Sequence, residues 1–323
     1  MIDVQRLAVL REVARQGSFN RAAVALRLTP SAVSQQIAAL ERSLGAPVVR
    51  RSTRGVELTE AGRVLVETGD AIAAELYHAE REIERLASSE SQRLTVATFL
   101  SGGQRILPAA LSRFTAQHPH VELTVIEADP EASLPLVRSG GADVALAYHF
   151  DGPPPVRPGD RSGLAWTPLT DDPMWIVLPR DHRLAGRGSV AMAELGNERW
   201  VHGCLYVGDA VEHYAALAGI ELRTACRGTD YIFAQALVRA GVGIGLIPSV
   251  ALTTDPEGIA VVMLEPPRPT RYIGAVLARR RRPQPLAQAL VAAMEETVRS
   301  GGQAGGEVAP VRSLAAHSGR DTR

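Results

Sequence analysis

The chain has 323 residues, 46% of them hydrophobic and 22% charged, with 35 basic and 35 acidic side chains and no net charge. That length holds more than one domain and a sizeable core, and the composition is that of a globular protein rather than a disordered one. Two cysteines, Cys204 and Cys226, exclude a disulfide framework.

No apolar run approaches the roughly 20 residues needed to span a bilayer. The opening MIDVQRLAVLREVAR has charges among its apolar residues and no signal-peptide core, so a cytoplasmic protein without membrane contact is expected. Charge is unevenly spread. Residues 1–64 carry ten arginines against five acids, whereas residues 65–90 carry seven acids against two arginines. A basic head and an acidic neck suggest that only the head meets a polyanion. Every basic residue is arginine, the side chain that grips phosphate bidentately.

Residues 4–14 place Val4, Leu7, Leu10, Val13 and Ala14 on one helical face. Gly17 ends that helix and Ser18 caps the next, in which Phe19, Ala22, Ala23, Leu26 and Leu28 are expected core contacts. A tight turn follows. Thr29 then caps a third helix with Pro30 at its first position, and Gly45 closes it. In that helix Val33, Ile37, Leu40 and Leu44 form one stripe, whereas Ser31, Ala32, Ser34, Gln35 and Gln36 are small or carry hydroxyl and amide groups. Base edges in the major groove offer donors, acceptors and the thymine methyl that such groups can read. This is a helix-turn-helix, with 31–44 as the presented element. Residues 48–62 read as a hairpin with Arg50, Arg51 and Arg54 at its tip, a wing for phosphate or the minor groove.

A helix over roughly 60–87 carries Leu65, Gly69, Ile72, Leu76, Ala79, Ile83 and Leu86 at alternating spacings of four and three, a heptad seam. So narrow a stripe favours pairing with a second copy. After a polar linker at 88–92 the chain alternates strand and helix. Strands are expected at 93–99, 121–128, 142–148, 174–179, 221–228, 261–266 and 272–279, with helices at 101–119, 132–141, 209–219, 230–241 and 285–300. Such alternation implies a mainly parallel sheet covered by helices. Residues 301–323 read as a disordered tail.

The head resembles that of the LysR-type transcriptional regulators. The match lies in GSF at 17–19, Ala22-Ala23, PSAVSQQI at 30–37, Leu40-Glu41, Leu44-Gly45, Arg51 and LTEAG at 58–62. GGADVAL at 140–146 and AGVGIGLIP at 240–248 extend it to about residue 298, while Val48-Val49 stand where that family usually has leucine and phenylalanine. The resemblance implies an α+α/β fold. Its parts are a winged helix-turn-helix at 1–59, a dimerising linker helix at 60–88, and a two-lobed effector domain at 89–300, similar to periplasmic binding proteins. It further implies a homodimer or tetramer that binds double-stranded promoter DNA, contacts RNA polymerase, and senses a small molecule between the lobes.

The strand-to-helix junction Thr98, Phe99, Ser101, Gly102 and Gly103 would form one wall of that cleft, and a helix start there would favour an anion. By the same resemblance His149, His202, Cys204, Thr229, Asp230, Ile247 and Pro248 would edge it. A redox switch through Cys204 and Cys226 competes with the plainer reading of small apolar residues. GVGIGL at 241–246 lacks the third glycine of a dinucleotide fingerprint. His118 and His120 lack partners at metal-ligand spacing, so neither cofactor, metal nor catalytic residue is expected. The competing class, a transport-type receptor or enzyme with an incidental helical head, would not need the wing or the heptad helix.

Overall fold

The computed structural model describes residues 2–52, 55–87, 92–150, 152, 163–203, 208–253, 257–279 and 284–304. The head is built from α1 (Val4–Gln16), α2 (Phe19–Leu26) and α3 (Pro30–Leu44). Each start is capped as its sequence suggests. Asp3 accepts from the Gln5 N–H, Ser18 from Arg21 and Thr29 from Ala32. Gly17 and Gly45 end α1 and α3 with φ of 58° and 71°, the left-handed region where glycine carries no side-chain penalty. The turn between α2 and α3 uses Arg27 instead, at φ 55°. Leu7, Leu10, Val13, Ala22, Val33, Ile37 and Leu40 make the shared core. Val4, at the first position of α1, and Leu28, in the turn after α2, are exposed rather than part of the core.

The wing is β1 (Val49–Ser52) against β2 (Gly55–Leu58), antiparallel. Two anchors fix it. Glu41 of α3 accepts from the N–H groups of Val48 and Val49 at 2.8 and 3.4 Å. The Val56 N–H donates to the Gly17 carbonyl at 3.1 Å. Thr59 then donates to the Pro47 carbonyl and accepts from the Gly62 N–H, at 2.7 and 3.0 Å. A methyl group at Gly62 would overlap the Val48 carbonyl, so only glycine lets the next helix start this close to the wing.

That helix, α4 (Glu60–Ala87), has 28 residues and is therefore about 42 Å long. The heptad seam divides along it. Leu65 is buried in the head core, Gly69 lies against the Arg11 stem, and Ile72 packs partly on the head. Arg11 Nε donates to Asp70 at 2.6 Å beside them. Farther on, Leu76 and Ile83 are 53% and 64% exposed, whereas Ala74, off the seam, is buried.

The remainder forms two lobes. In the first, β3 (Arg93–Thr98) lies parallel between β4 (Glu122–Glu127) and β5 (Val144–His149). It is covered by α5 (Leu100–Arg105), α6 (Leu107–Gln117), α7 (Pro130–Ser139) and α10 (Pro285–Ala304). In place of one helix over 101–119 there are two, because Pro108 in the first turn of α6 has no N–H to continue the ladder. Gly140, just past the end of α7, faces Ala74 and Tyr77 of α4, which seats the first lobe on the linker helix. Helix α10 runs four residues past the expected end at 300.

The chain crosses between lobes on β6 (Leu164–Pro179) and returns between β11 (Ile259–Leu264) and β12 (Thr270–Ala278). The first half of β6 pairs with β12, and its second half with β10 (Ile244–Pro248) and β11, all antiparallel. The second lobe adds β7 (Ser189–Val190), β8 (Arg199–His202) and β9 (Arg223–Arg227), with α8 (Gly208–Leu217) and α9 (Tyr231–Arg239). The sheet is thus mixed rather than mainly parallel, because both crossing strands run against their neighbours.

Candidate nucleic-acid interface and effector cavity

Helix α3 is held by Val33, Ile37 and Leu40, all buried. Its opposite face presents Ser31, Gln35 and Gln36 to solvent, with Ala32 and Ser34 half-buried between. Thr29 and Pro30 are exposed at its start, and the Thr29 hydroxyl shares a 3.0 Å hydrogen bond with that of Ser31. No charged side chain occurs between Pro30 and Leu40, so this face can approach base edges by hydrogen bonding alone. On the wing, Arg50 is exposed and lies opposite Glu57 in register. The backbone of Arg51 pairs with Val56; its side chain, and all of Arg54, lie outside the described residues.

Between the lobes is a cavity of about 500 Å³. The first lobe contributes Phe99, Leu100, Ser101 and Gln104, the stretch Glu127–Asp129 with Glu131 and Ala132, and Tyr148. The second contributes Thr229, Asp230, Tyr231, Ile232 and Ala251, and Arg271 comes from the crossing strand β12. Arg271 is 1% exposed and Asp172 is 0% exposed. They are direct register partners on β12 and β6. Arg271 Nε and Nη2 donate to Asp172 Oδ2 at 2.9 and 2.6 Å, and Nη2 also donates to Ser101 at 3.2 Å. The guanidinium carbon lies 5.1 Å from the Phe99 ring centre and 4.8 Å from that of Tyr148, a cation–π geometry. Asp172 Oδ1 accepts from the Val250 N–H at 3.0 Å. Burial pushes the Asp172 carboxyl up against the pull of Arg271. Burial opposes the Arg271 charge as well, yet the facing carboxylate holds it above its ordinary value. The pair fastens the two crossing strands together at the cavity floor.

Residues 4–63 match the family model described as bacterial regulatory helix-turn-helix protein, lysR family, and residues 87–299 match the LysR substrate binding domain. The chain belongs to the LysR family. It resembles the DNA-binding transcriptional dual regulator OxyR of Escherichia coli (strain K12), 27% identical over 91% of this chain and 96% of that protein. It also resembles the RuBisCO operon transcriptional regulator of Allochromatium vinosum, 28% identical over 82% and 85%. Among solved structures, a full-length OxyR from Pseudomonas aeruginosa with one cysteine replaced by aspartate is 19% identical. Its TM-score is 0.55, covering 91% of this chain and 98% of that one. Full-length CbnR complexed with its target DNA is 21% identical with a TM-score of 0.52, covering 92% and 100%. The protein is a LysR-type transcriptional regulator with a DNA-binding head and an effector-binding domain. No helix among the described residues is long and apolar enough to cross a membrane.

In this LysR-type domain the expected cleft residues divide. Phe99, Ser101, Thr229 and Asp230 line the cavity. Thr98 is buried at the end of β3, donating to the Phe99 carbonyl at 3.2 Å. Gly102 and Gly103 face the Phe99 ring and the Thr98 methyl, where a side chain would clash; their part is to let α5 sit close. His149 points away from the cavity, because side chains alternate along β5 and its neighbour Tyr148 takes the cavity side. It stacks on Tyr272 instead, with ring centres 5.5 Å apart. His202 lies within hydrogen-bond distance of the Thr224 hydroxyl at 3.2 Å, and borders a separate void of about 10 Å³ beside Trp200. Burial, then the nearby Arg227 charge, lowers its pKa. Ile247 and Pro248 are buried within β10 and do not reach the cavity. Cys204 lies outside the described residues, and Cys226 is a free, half-buried thiol. The reading from sequence missed Arg271, Asp172, Tyr148, Tyr231 and the acidic stretch at 127–131.

Proposed function

We propose that α3 reads an operator in the major groove through Ser31, Ser34, Gln35 and Gln36, while Arg50, Arg51 and Arg54 of the wing hold phosphate or the minor groove. The observation that carries this reading is the capped, uncharged, hydrogen-bonding face of α3 on a helix whose other face is fixed in the head core. The fold shared with CbnR, a protein solved with its target DNA, supports it. The exposed half of the α4 seam at Leu76 and Ile83 joins two copies, and the paired heads span two half-sites of a promoter. A small effector in the inter-lobe cavity biases the arrangement of the lobes and, through the contact of α7 with α4, the spacing of the heads. The output is a changed contact with RNA polymerase. The protein works in the cytoplasm and performs no catalysis; the head, linker and effector parts are 1–59, 60–88 and 89–300, with 301–323 as a tail.

Footprinting of the purified full-length protein on the DNA upstream of its own gene tests this. Protection of two patches about one or two helical turns apart is expected. Uniform coverage with no preferred site would contradict sequence reading by α3.

A further inference from the structure

The inter-lobe cavity has a charge that its helix ends do not predict. Its described lining carries four carboxylates, Glu127, Asp129, Glu131 and Asp230, and one cation, Arg271. That cation is already matched by Asp172 and fully enclosed. The starts of α5, α7 and α9 face the cavity, and each contributes the equivalent of at most about half a positive charge. Set against four carboxylates, they leave the space between about two and three charges negative. Asp230 is spent on a cap, accepting from the Ile232 N–H at 2.7 Å.

Asp129 is not so spent. It stands at the N-cap position of α7, yet its side chain makes no capping hydrogen bond. Its carboxylate turns instead to the Tyr148 hydroxyl, which donates at a long 3.5 Å. Burial pushes the Asp129 carboxyl up, and Glu127 and Glu131 push it the same way against the pull of Tyr148 and Arg271. Asp129 is a half-buried carboxylate beside two others and only weakly bonded to Tyr148, and the guanidinium that pulls on it, Arg271, is already paired with Asp172. Alongside it, Phe99, Leu100, Ile232 and Ala251 give apolar surface, and Ile232 is 56% exposed at the mouth.

We infer that this cavity takes an organic cation, a small molecule with an ammonium group set against Asp129, Glu127 and Glu131 and an apolar body against Leu100, Ile232 and Ala251. The inference rests on the reading of the cavity as the effector site and names the class of effector. It reverses the anion that a helix start at 101 suggested, because the guanidinium that would receive an anion is occupied by Asp172.

Calorimetric titration of the full-length protein tests it, with phenethylammonium and butane-1,4-diammonium chlorides set against sodium 3-phenylpropionate and adipate at equal ionic strength. At least one ammonium compound is expected to bind, with a Kd at least tenfold below that of the matching carboxylate. Asp129→Asn should weaken that binding about tenfold, Asp129→Glu should restore most of it, and Glu127→Gln with Glu131→Gln should cost several-fold. Circular dichroism checks that each variant is folded. Carboxylate binding that disappears with Ser101→Ala and persists in Asp129→Asn would overturn the cation while leaving a ligand-responsive regulator. Ammonium binding unchanged by Asp129→Asn would overturn it too, as would binding of none of the four compounds.

Discussion

Removing the carboxylate of Asp172 should cost more than any single change elsewhere in the effector domain. In Asp172→Ala the Arg271 guanidinium, 1% exposed, keeps its charge and loses both hydrogen bonds to Oδ2. Breaking a buried pair in this way costs about 3–5 kcal/mol. The Val250 N–H, which donates to Asp172 at 3.0 Å, adds about 1–3 kcal/mol if left without a partner. Against a total stability of roughly 5–15 kcal/mol, the second lobe should come loose from the first. The double variant Asp172→Leu with Arg271→Met removes the stranded charge but keeps the Val250 cost and takes the Arg271 donor from Ser101, so about 2–3 kcal/mol is regained. Urea unfolding followed by tryptophan fluorescence reads this cleanly. The three tryptophans, Trp166, Trp175 and Trp200, all lie in the effector domain, so the head is silent. A loss below about 1 kcal/mol in the single variant, or a double variant no more stable than the single, would refute the pair as the fastening of the crossing strands.

Gly62→Ala should unfold the wing, since the added methyl would overlap the Val48 carbonyl; loss of DNA binding with an unchanged tryptophan transition is the expected signature. Leu76→Asp with Ile83→Asp should yield smaller particles in sedimentation, and wild-type size would mean that the outer half of the seam does not join copies. Arg50→Ala should weaken operator and random DNA alike and flatten the salt dependence by about one unit for each phosphate that Arg50 neutralises; an unchanged slope would take Arg50 off the phosphates.

The head was legible because its signals are local. Thr29, Pro30 and Gly45 each act within one turn of their own helix. The apolar stripe of α3 needs no partner to be seen. Gly62 and Glu41 acquire their meaning only where the wing folds back on them. The cavity was less legible for a related reason. Arg271 and Asp172 are 99 residues apart, and nothing in either stretch marks the other. Strand parity was hidden as well, since every residue of β5 is buried on both faces. No alternation therefore told Tyr148 from His149. The first half of β6 carries Thr167, Pro168, Thr170 and Asp171 among its apolar residues, which masked a strand that crosses between lobes. The heptad seam was legible as a pattern, yet half of it serves the head of its own chain.

The claim that α3 reads bases is tested most directly by Gln35→Ala. Gln35 is exposed on the face opposite the buried stripe, so its removal should leave the fold intact and, by helix propensity, slightly favoured. A glutamine pair with adenine is worth about 1–3 kcal/mol of discrimination. Operator affinity should therefore fall roughly ten- to a hundred-fold, with random-sequence affinity and the salt slope unchanged. Equal losses on operator and random DNA, or no loss on either, would contradict the account.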